Sequence, residues 1–180
     1  MRGGHYEQMT IRSLAAGLGV APMALYRHVR DKDDLLIEVT DRLLADAWRP
    51  RARPSNWKAW VTDVAERLRN LLVTQPAALH VYLRQPVTSS AAIARMDATL
   101  GVLRGAGLTP EDASRAYAAI QTYTIGFAAL EASRLRWQPN PDDLDPTADR
   151  LAAFTTPGQF LDGLHFLLDG IERGITNLNP

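Results

Sequence analysis

Cysteine is absent from the 180 residues, which excludes disulfides, thiolate metal sites and a cysteine nucleophile. An excess of one charge is missing too. Twenty Lys and Arg balance twenty Asp and Glu, so no overall basic field marks a nucleic-acid partner, and such binding has to come from a local patch. No apolar run reaches the roughly 18 residues of a membrane span, and the polar, glycine-rich start MRGGHYEQ lacks a signal-peptide pattern. Sustained period-2 alternation, the mark of strands, is not found. Nor is a glycine-rich phosphate loop, an H-E-x-x-H pair or a G-x-S-x-G elbow, so an enzyme reading has almost nothing to stand on. What remains, 46% hydrophobic against 22% charged residues, is the composition of a folded chain. The expectation is an all-α, soluble, cytoplasmic protein with no enzymatic activity, no cofactor and no membrane association.

Helical spacing runs throughout. Thr10 is a good N-cap, Ile11, Leu14, Ala15 and Leu18 form an apolar face, and Gly19 ends the helix. Pro22 suits the first turn of a second, short helix containing Met23, Leu25, Tyr26 and Val29. Asp31 and Asp34 resemble an acidic capping box and open a third helix with a stripe of Leu35, Leu36, Val39, Leu43, Leu44 and Ala47. Pro50 and Pro54 then break the pattern, which places a boundary between a first module, residues 1–49, and a second, residues 50–180. In the second module Trp57, Trp60, Val61, Val64, Leu68, Leu71 and Leu72 recur at amphipathic spacing, closing near Pro76. Short helices are predicted over 76–85 and 88–104. A long one follows over 109–137, opened by Thr109, Pro110, Glu111 and Asp112, and a last one covers 158–175. Residues 138–149, QPNPDDLDPTAD, read as a mobile surface loop.

Behind the Gly19 turn stands a cluster of aromatic and basic residues. A helix, a glycine turn and a second helix with such an outer face make a helix-turn-helix candidate whose second helix would enter a DNA major groove. Arg27 can address guanine edges or phosphate, Tyr26, His28 and Lys32 can hold phosphates, and small Ala21 and Ala24 permit close approach to bases. Spacing alone leaves open the plainer reading, in which Tyr26 and His28 fix the next helix while Arg27 and Arg30 are solvated.

The wording is more specific than the spacing. Residues 10–36, TIRSLAAGLGVAPMALYRHVRDKDDLL, closely resemble the helix-turn-helix of the tetracycline-repressor (TetR) family in the leucine-alanine start, leucine-glycine-valine turn, leucine-tyrosine-x-histidine-valine recognition helix and following lysine-x-x-leucine. Residues 160–175, FLDGLHFLLDGIERGI, resemble the last helix of that family's tetracycline-repressor branch. The resemblance implies a dimeric, all-helical transcriptional regulator, usually a repressor, that releases operator double-stranded DNA when a small-molecule effector enters the second module. It places Thr10 and Arg12 where family members meet DNA. Ala21, Pro22, Met23 and Ala24 fall at the base-facing tip, and Tyr26, Arg27, His28 and Lys32 on positions that touch phosphate or bases. With Ala, Pro and Met at the tip, specificity is expected to lean on Arg12, Arg27 and DNA shape. The family also carries an amphipathic helix ahead of the motif, whereas MRGGHYEQM has almost no apolar face. The expectation is that this helix is missing, through a start placed too far downstream or through a true loss. In the latter case the chain would be a dimeric small-molecule- or partner-binding protein without DNA binding. Leu14, Leu18, Leu25 and Val29 would then be partly uncovered.

Small residues argue for a dimer. In the long helix Ala118, Thr122, Gly126, Ala129 and Ser133 form a stripe opposite Tyr117, Ile120, Thr124, Phe127 and Leu130. In the last helix Gly163, Gly170 and Gly174 lie beside Leu164, Leu167, Leu168 and Ile171. Interior glycine costs about 1 kcal/mol relative to alanine, so several together signal a close backbone, of the same chain or another. With the resemblance, a two-fold four-helix bundle is the expectation. For the effector, Trp60, His80, Tyr82, Met96, Tyr117, Gln121 and Tyr123 combine polar atoms with aromatic bodies and are candidate pocket residues. Asp162 and His165, three apart, are too few for a metal site, and none is expected.

Overall fold

The structure, a computed structural model, describes residues 10–47, 56–84, 89–136 and 155–178. These form eight helices: α1 (Ile11–Leu18), α2 (Pro22–Leu25), α3 (Lys32–Ala47), α4 (Trp57–Thr74), α5 (Pro76–Arg84), α6 (Ser90–Gly105), α7 (Pro110–Arg136) and α8 (Pro157–Leu178). No strand occurs among the described residues. The module boundary, Trp137 and residues 138–149 lie outside them, as do residues 1–9, on which the expectation of a missing helix rests.

Helix starts follow from side chains that satisfy the first-turn N–H groups. Thr10 Oγ1 accepts from Ser13 N–H while Ser13 Oγ accepts from Thr10 N–H, a reciprocal cap for α1. Asn56 caps α4 through Ala59 N–H, Ser89 caps α6 through Ala92 N–H, and Thr109 caps α7 through Asp112 N–H with Pro110 at the first position. Gly19 ends α1 at φ 68°, the left-handed region where only glycine sits without strain.

The second module is built around α4, which packs most extensively on α7. One core cluster joins Trp60, Val61, Val64 and Ala65 of α4 to Ala113, Ala116 and Ile120 of α7 and Phe160, Leu164 and Leu168 of α8. A second joins Leu68, Leu71 and Leu72 of α4 to Ala78 and Leu79 of α5, Ala128 and Ala132 of α7, and Leu44 of α3. Between the clusters lies a buried ion pair. Arg69 Nε donates to Glu131 Oε2 at 2.7 Å, a second guanidinium nitrogen donates to Oε1, and the remaining one donates to Asn70 Oδ1 at 3.0 Å. The guanidinium also lies 5.9 Å from the Phe127 ring centroid and 5.3 Å from that of Phe160. One cation therefore touches α4, α7 and α8 together, with every face occupied. Gly163 belongs to the same corner: a Cβ there would run into the Tyr123 phenol, which would have to shift, so the present seat of Tyr123 against α8 uses the missing side chain. Tyr123 stacks on Phe160 and donates to its carbonyl oxygen at 3.0 Å.

Several expected faces are corrected. In α3 the buried stripe is Leu36, Thr40 and Leu44, with Leu35 and Leu43 partly buried and Val39 exposed. The helix turns Thr40 rather than Val39 toward its neighbours because 36, 40 and 44 share one face at four-residue spacing. Leu130 lies on the exposed side of α7, apart from the buried Ile120 and Thr124 with which it was grouped. In the first module, of the four residues expected to be partly uncovered, Leu18 is 60% exposed and Leu14 and Leu25 are half-buried, whereas Val29 is buried.

Replacing Glu131 with Gln leaves Arg69 buried without its counter-charge, and breaking such a pair costs about 3–5 kcal/mol. The expected result is a large drop in the urea midpoint of Glu131→Gln, largely recovered in the double variant Arg69→Met/Glu131→Leu, as measured by equilibrium unfolding.

Candidate nucleic-acid interface and effector cavity

Two features carry function-bearing geometry. The first is the segment 20–28 behind the Gly19 turn. Gly19 N–H bonds to Ala16 C=O at 3.2 Å and Val20 N–H to Ala15 C=O at 3.0 Å, which closes α1 and redirects the chain. Pro22 starts α2, and Tyr26 and His28 continue it as tight turns through bonds to the Pro22 and Leu25 carbonyls. The result is a short, fully turned segment whose outer face is bare. Thr10, Arg12, Ala21, Pro22, Met23, Ala24, Tyr26, Arg27 and His28 are exposed, Met23 at 71%, and Lys32 is half-buried. Thr10 is spent on the α1 cap. The side chains of Arg12, Tyr26, Arg27 and His28 make no hydrogen bond or ion pair to another described residue. Exposed guanidiniums, an imidazole and a phenol without a partner among the described residues are groups able to meet phosphates.

Arg30, by contrast, works within the chain. Its backbone N–H donates to Asp34 Oδ2 at 2.9 Å and its guanidinium to Oδ1 at 3.1 Å, while Asp34 N–H donates to Asp31 Oδ1 at 2.8 Å. Together these fasten the end of the recognition segment to the first turn of α3. The Arg30 contacts hold the Asp34 carboxyl below its ordinary range.

The second feature is a small cavity between α4, α6 and α7, lined by Val61, Val64, Ala65 and Leu68 of α4, Arg95 and Thr99 of α6, and Tyr117, Ile120, Gln121 and Thr124 of α7. Its volume is about 10 Å³, about one water molecule. Arg95 crosses it: one terminal nitrogen donates to Gln121 Oε1 at 3.0 Å and the other to Tyr82 Oη at 3.3 Å. Burial pushes the Tyr82 phenol up against the opposing pull of the Arg95 charge.

Of the residues expected to line an effector pocket, Tyr117 and Gln121 line this cavity, and Tyr82 is joined to it through Arg95. Trp60 packs in the first core cluster, and Tyr123 faces α8. His80 and Met96 are half-buried and do not line the cavity. Arg95 and Thr99 were missed, although the sequence held a signal. Ala92, Arg95, Thr99 and Leu103 recur at helical spacing and form the buried stripe of α6, so an arginine stands where an apolar residue belongs.

The expected dimer residues divide. Ala118, Thr122, Gly126 and Ser133 of α7 and Gly170 and Gly174 of α8 are exposed, next to exposed Leu130, Leu135 and, at 76%, Phe166. Open space surrounds Gly126, Gly170 and Gly174. Ala129 and Leu167 pack partly against the chain's own core, and Gly163 is small for the sake of Tyr123 rather than of a facing surface.

A helix-turn-helix joined by one long helix to a helical domain enclosing a cavity defines the class. The tetracyclin repressor-like C-terminal domain family matches residues 49–158, and the chain belongs to the TetR family. It is 29% identical over 126 residues to an HTH-type transcriptional regulator of Saccharopolyspora erythraea, covering 70% of this chain and 53% of that protein. It is 33% identical over 130 residues to the class A tetracycline repressor protein from transposon 1721 of Escherichia coli, covering 69% and 58%. Among solved structures, a possible TetR family transcriptional regulator from Streptomyces coelicolor A3(2) superposes with a TM-score of 0.76 at 26% identity, covering 93% of this chain and 90% of that one. The chain spans about half the length of the curated relatives it matches.

The Arg30–Asp34 lock predicts a pH response of the motif. Asp34 has a depressed folded pKa, so the lock contributes stability above the unfolded value near 3.8 and loses it as pH falls through the depressed value. The expected outcome is that the Arg30 amide stays protected from hydrogen exchange to below pH 3.8 and loses protection only as the pH falls through the depressed Asp34 value, whereas Asp34→Ala lacks that protection at every pH.

Proposed function

We propose that this protein is a ligand-responsive DNA-binding transcriptional regulator, a repressor that leaves operator DNA when a small molecule occupies the cavity. Residues 1–49 would read DNA, and residues 50–180 would bind the effector and dimerise. The observation that carries this reading is the bare face of residues 20–28, where Tyr26, Arg27 and His28 protrude from a rigidly fastened turn with no internal partner. Two such faces, held about 34–36 Å apart in a dimer, would enter successive major grooves. The exposed small residues of α7 and α8, flanked by Leu130 and Phe166, fit the close backbone approach of a two-fold four-helix bundle.

The proposed coupling runs through α3. That helix begins at the Arg30–Asp34 lock and packs along its length on α5, α6 and α4. Asp41 Oδ1 accepts from Ala91 N–H at 2.9 Å, which ties the middle of α3 to the first turn of α6, the helix that carries Arg95. A ligand between α4, α6 and α7 must enlarge a cavity of about 10 Å³ toward the roughly 300 Å³ or more of ordinary ligand sites. Displacing α6 would draw on the Asp41 tie and change the spacing of the two reading faces. The ligand shifts the equilibrium only by its preference for one spacing.

Fluorescence anisotropy with labelled duplex from the region upstream of the gene, across a salt series, tests the reading. The expected result is specific binding with a steep salt slope. In Arg27→Ala the slope should fall by about one ion and the affinity by roughly 1–3 kcal/mol. Thr122→Arg, which places a charge on the exposed small-residue face, should turn a dimer into a monomer by light scattering and lose the DNA affinity with it. Binding no tighter than to random duplex would instead favour a dimeric ligand-binding protein.

A further inference from the structure

The second module buries two arginines equally deeply, and only one of them is matched. Arg69 and Arg95 are each 5% exposed. Arg69 faces the Glu131 carboxylate with two guanidinium nitrogens and Asn70 with the third. Arg95 has two neutral acceptors, Gln121 Oε1 and Tyr82 Oη, and its Nε is buried with no hydrogen-bond partner. Among the described residues no carboxylate pairs with it. Asp41, whose charge is felt at Tyr82, makes no ion pair with Arg95 and uses Oδ1 to hold Ala91 N–H. A buried cation without a counter-charge is costly unless something else neutralises it, and this one borders the cavity.

The geometry points to an anionic effector: a small acid with an apolar body whose carboxylate pairs with Arg95. The inference rests on the regulator reading for its biological meaning but not for its chemistry. Arg95 would supply the charge, and its idle Nε and an adjacent terminal N–H form the fork that a carboxylate accepts bidentately. Gln121 gives its carbonyl oxygen to Arg95, which leaves its amide N–H groups as further donors on the α7 wall. Tyr82 likewise uses its oxygen to accept from Arg95 and keeps its own proton to donate. Val61, Val64, Ala65 and Leu68 of α4 with Ile120 of α7 supply apolar lining that would cover the body of the acid. The cavity thus offers both donors around a positive charge and hydrocarbon.

The test uses matched acids and amides of one shape: benzoate with benzamide, naphthoate with naphthamide, and decanoate with decanamide. Calorimetry and thermal shift are run on the whole protein without DNA. The expected result is saturable binding of at least one acid, with its amide weaker on the order of 100-fold. Arg95→Met is the decisive variant. It should fold, unfold at a temperature equal to or above that of the unmodified protein in the absence of acid, and lose the acid's affinity by the same factor. An arginine kept for structure alone would instead lower the ligand-free unfolding temperature when replaced. That result, equal binding of acid and amide, unchanged acid binding by Arg95→Met, or no binding of any acid at millimolar concentration would each overturn the proposal. Adding the upstream duplex separates the two readings. A neutral amide that binds and releases DNA overturns the anionic effector and leaves the regulator standing. An acid that binds through Arg95 to a protein without DNA affinity does the reverse.

Discussion

Arg69 and Glu131 are both almost closed off from water, and charges so placed cost several kcal/mol each unless geometry and partners return it. The return here uses every face of the guanidinium: the carboxylate of α7 in front, Asn70 at the side, and the rings of Phe127 and Phe160 against it. That requirement fixes the rotation of α4 against α7 and brings the start of α8 down on both. Gly163 then gives the Tyr123 phenol its seat against α8. A second tie, Lys58 of α4 to Asp169 and Glu172 of α8, adds charge pairing on the surface of the same frame. Hydrophobic burial would hold these helices together in several rotations, whereas a directional ion pair selects among them.

Helix α6 takes no part in that ion-paired frame. It shares few contacts with α4, leans on α7 and α3, and carries Arg95, which forms no ion pair among the described residues. The contrast between Arg69 and Arg95 therefore has a structural counterpart. The matched cation sits where three helices must not move, and the unmatched one sits on the helix next to the cavity, whose first turn is tied to α3 through Asp41. Thr40, the neighbour of Asp41, is fully buried with its hydroxyl unsatisfied at the same junction. A junction that leaves polar groups short of partners is poorly optimised for one arrangement, which is the property a switching element requires.

Much of this was legible in the sequence where the signal is local. Thr10, Gly19, Pro22 and Thr109 act on backbone groups within a few residues, so element starts and stops could be read directly. The helix-turn-helix was legible for the same reason, its wording being confined to residues 10–36. Side-chain roles that depend on pairing between distant segments were not. Arg69 and Glu131 stand 62 positions apart, and nothing in the periodicity of α4 distinguishes a buried arginine from a solvated one at its edge. Tyr123 looked like a pocket residue because an aromatic with a polar tip suits a pocket, but the closeness of Gly163 decides that it faces α8. Arg95 lay between: its stripe betrayed burial, but only the cavity shows what it faces.

The contracted cavity bears on the energetics of the proposed switch. If the ligand-accepting arrangement is a minor fraction of the population, the apparent affinity is lowered by that fraction, and an effector must supply the difference from its own contacts. Apolar contact is a weak source of discrimination, since a methylene more or less changes binding by only about 1–3 kcal/mol. Relief of an uncompensated buried charge is stronger and is available only to an anion. So small a cavity beside an arginine without an ion-pair partner would therefore be hard for neutral hydrophobes to enlarge and easier for an acid. On this reading the unsatisfied Nε of Arg95 works as the filter that decides which molecules reach α6, Asp41 and, through α3, the DNA-facing turn.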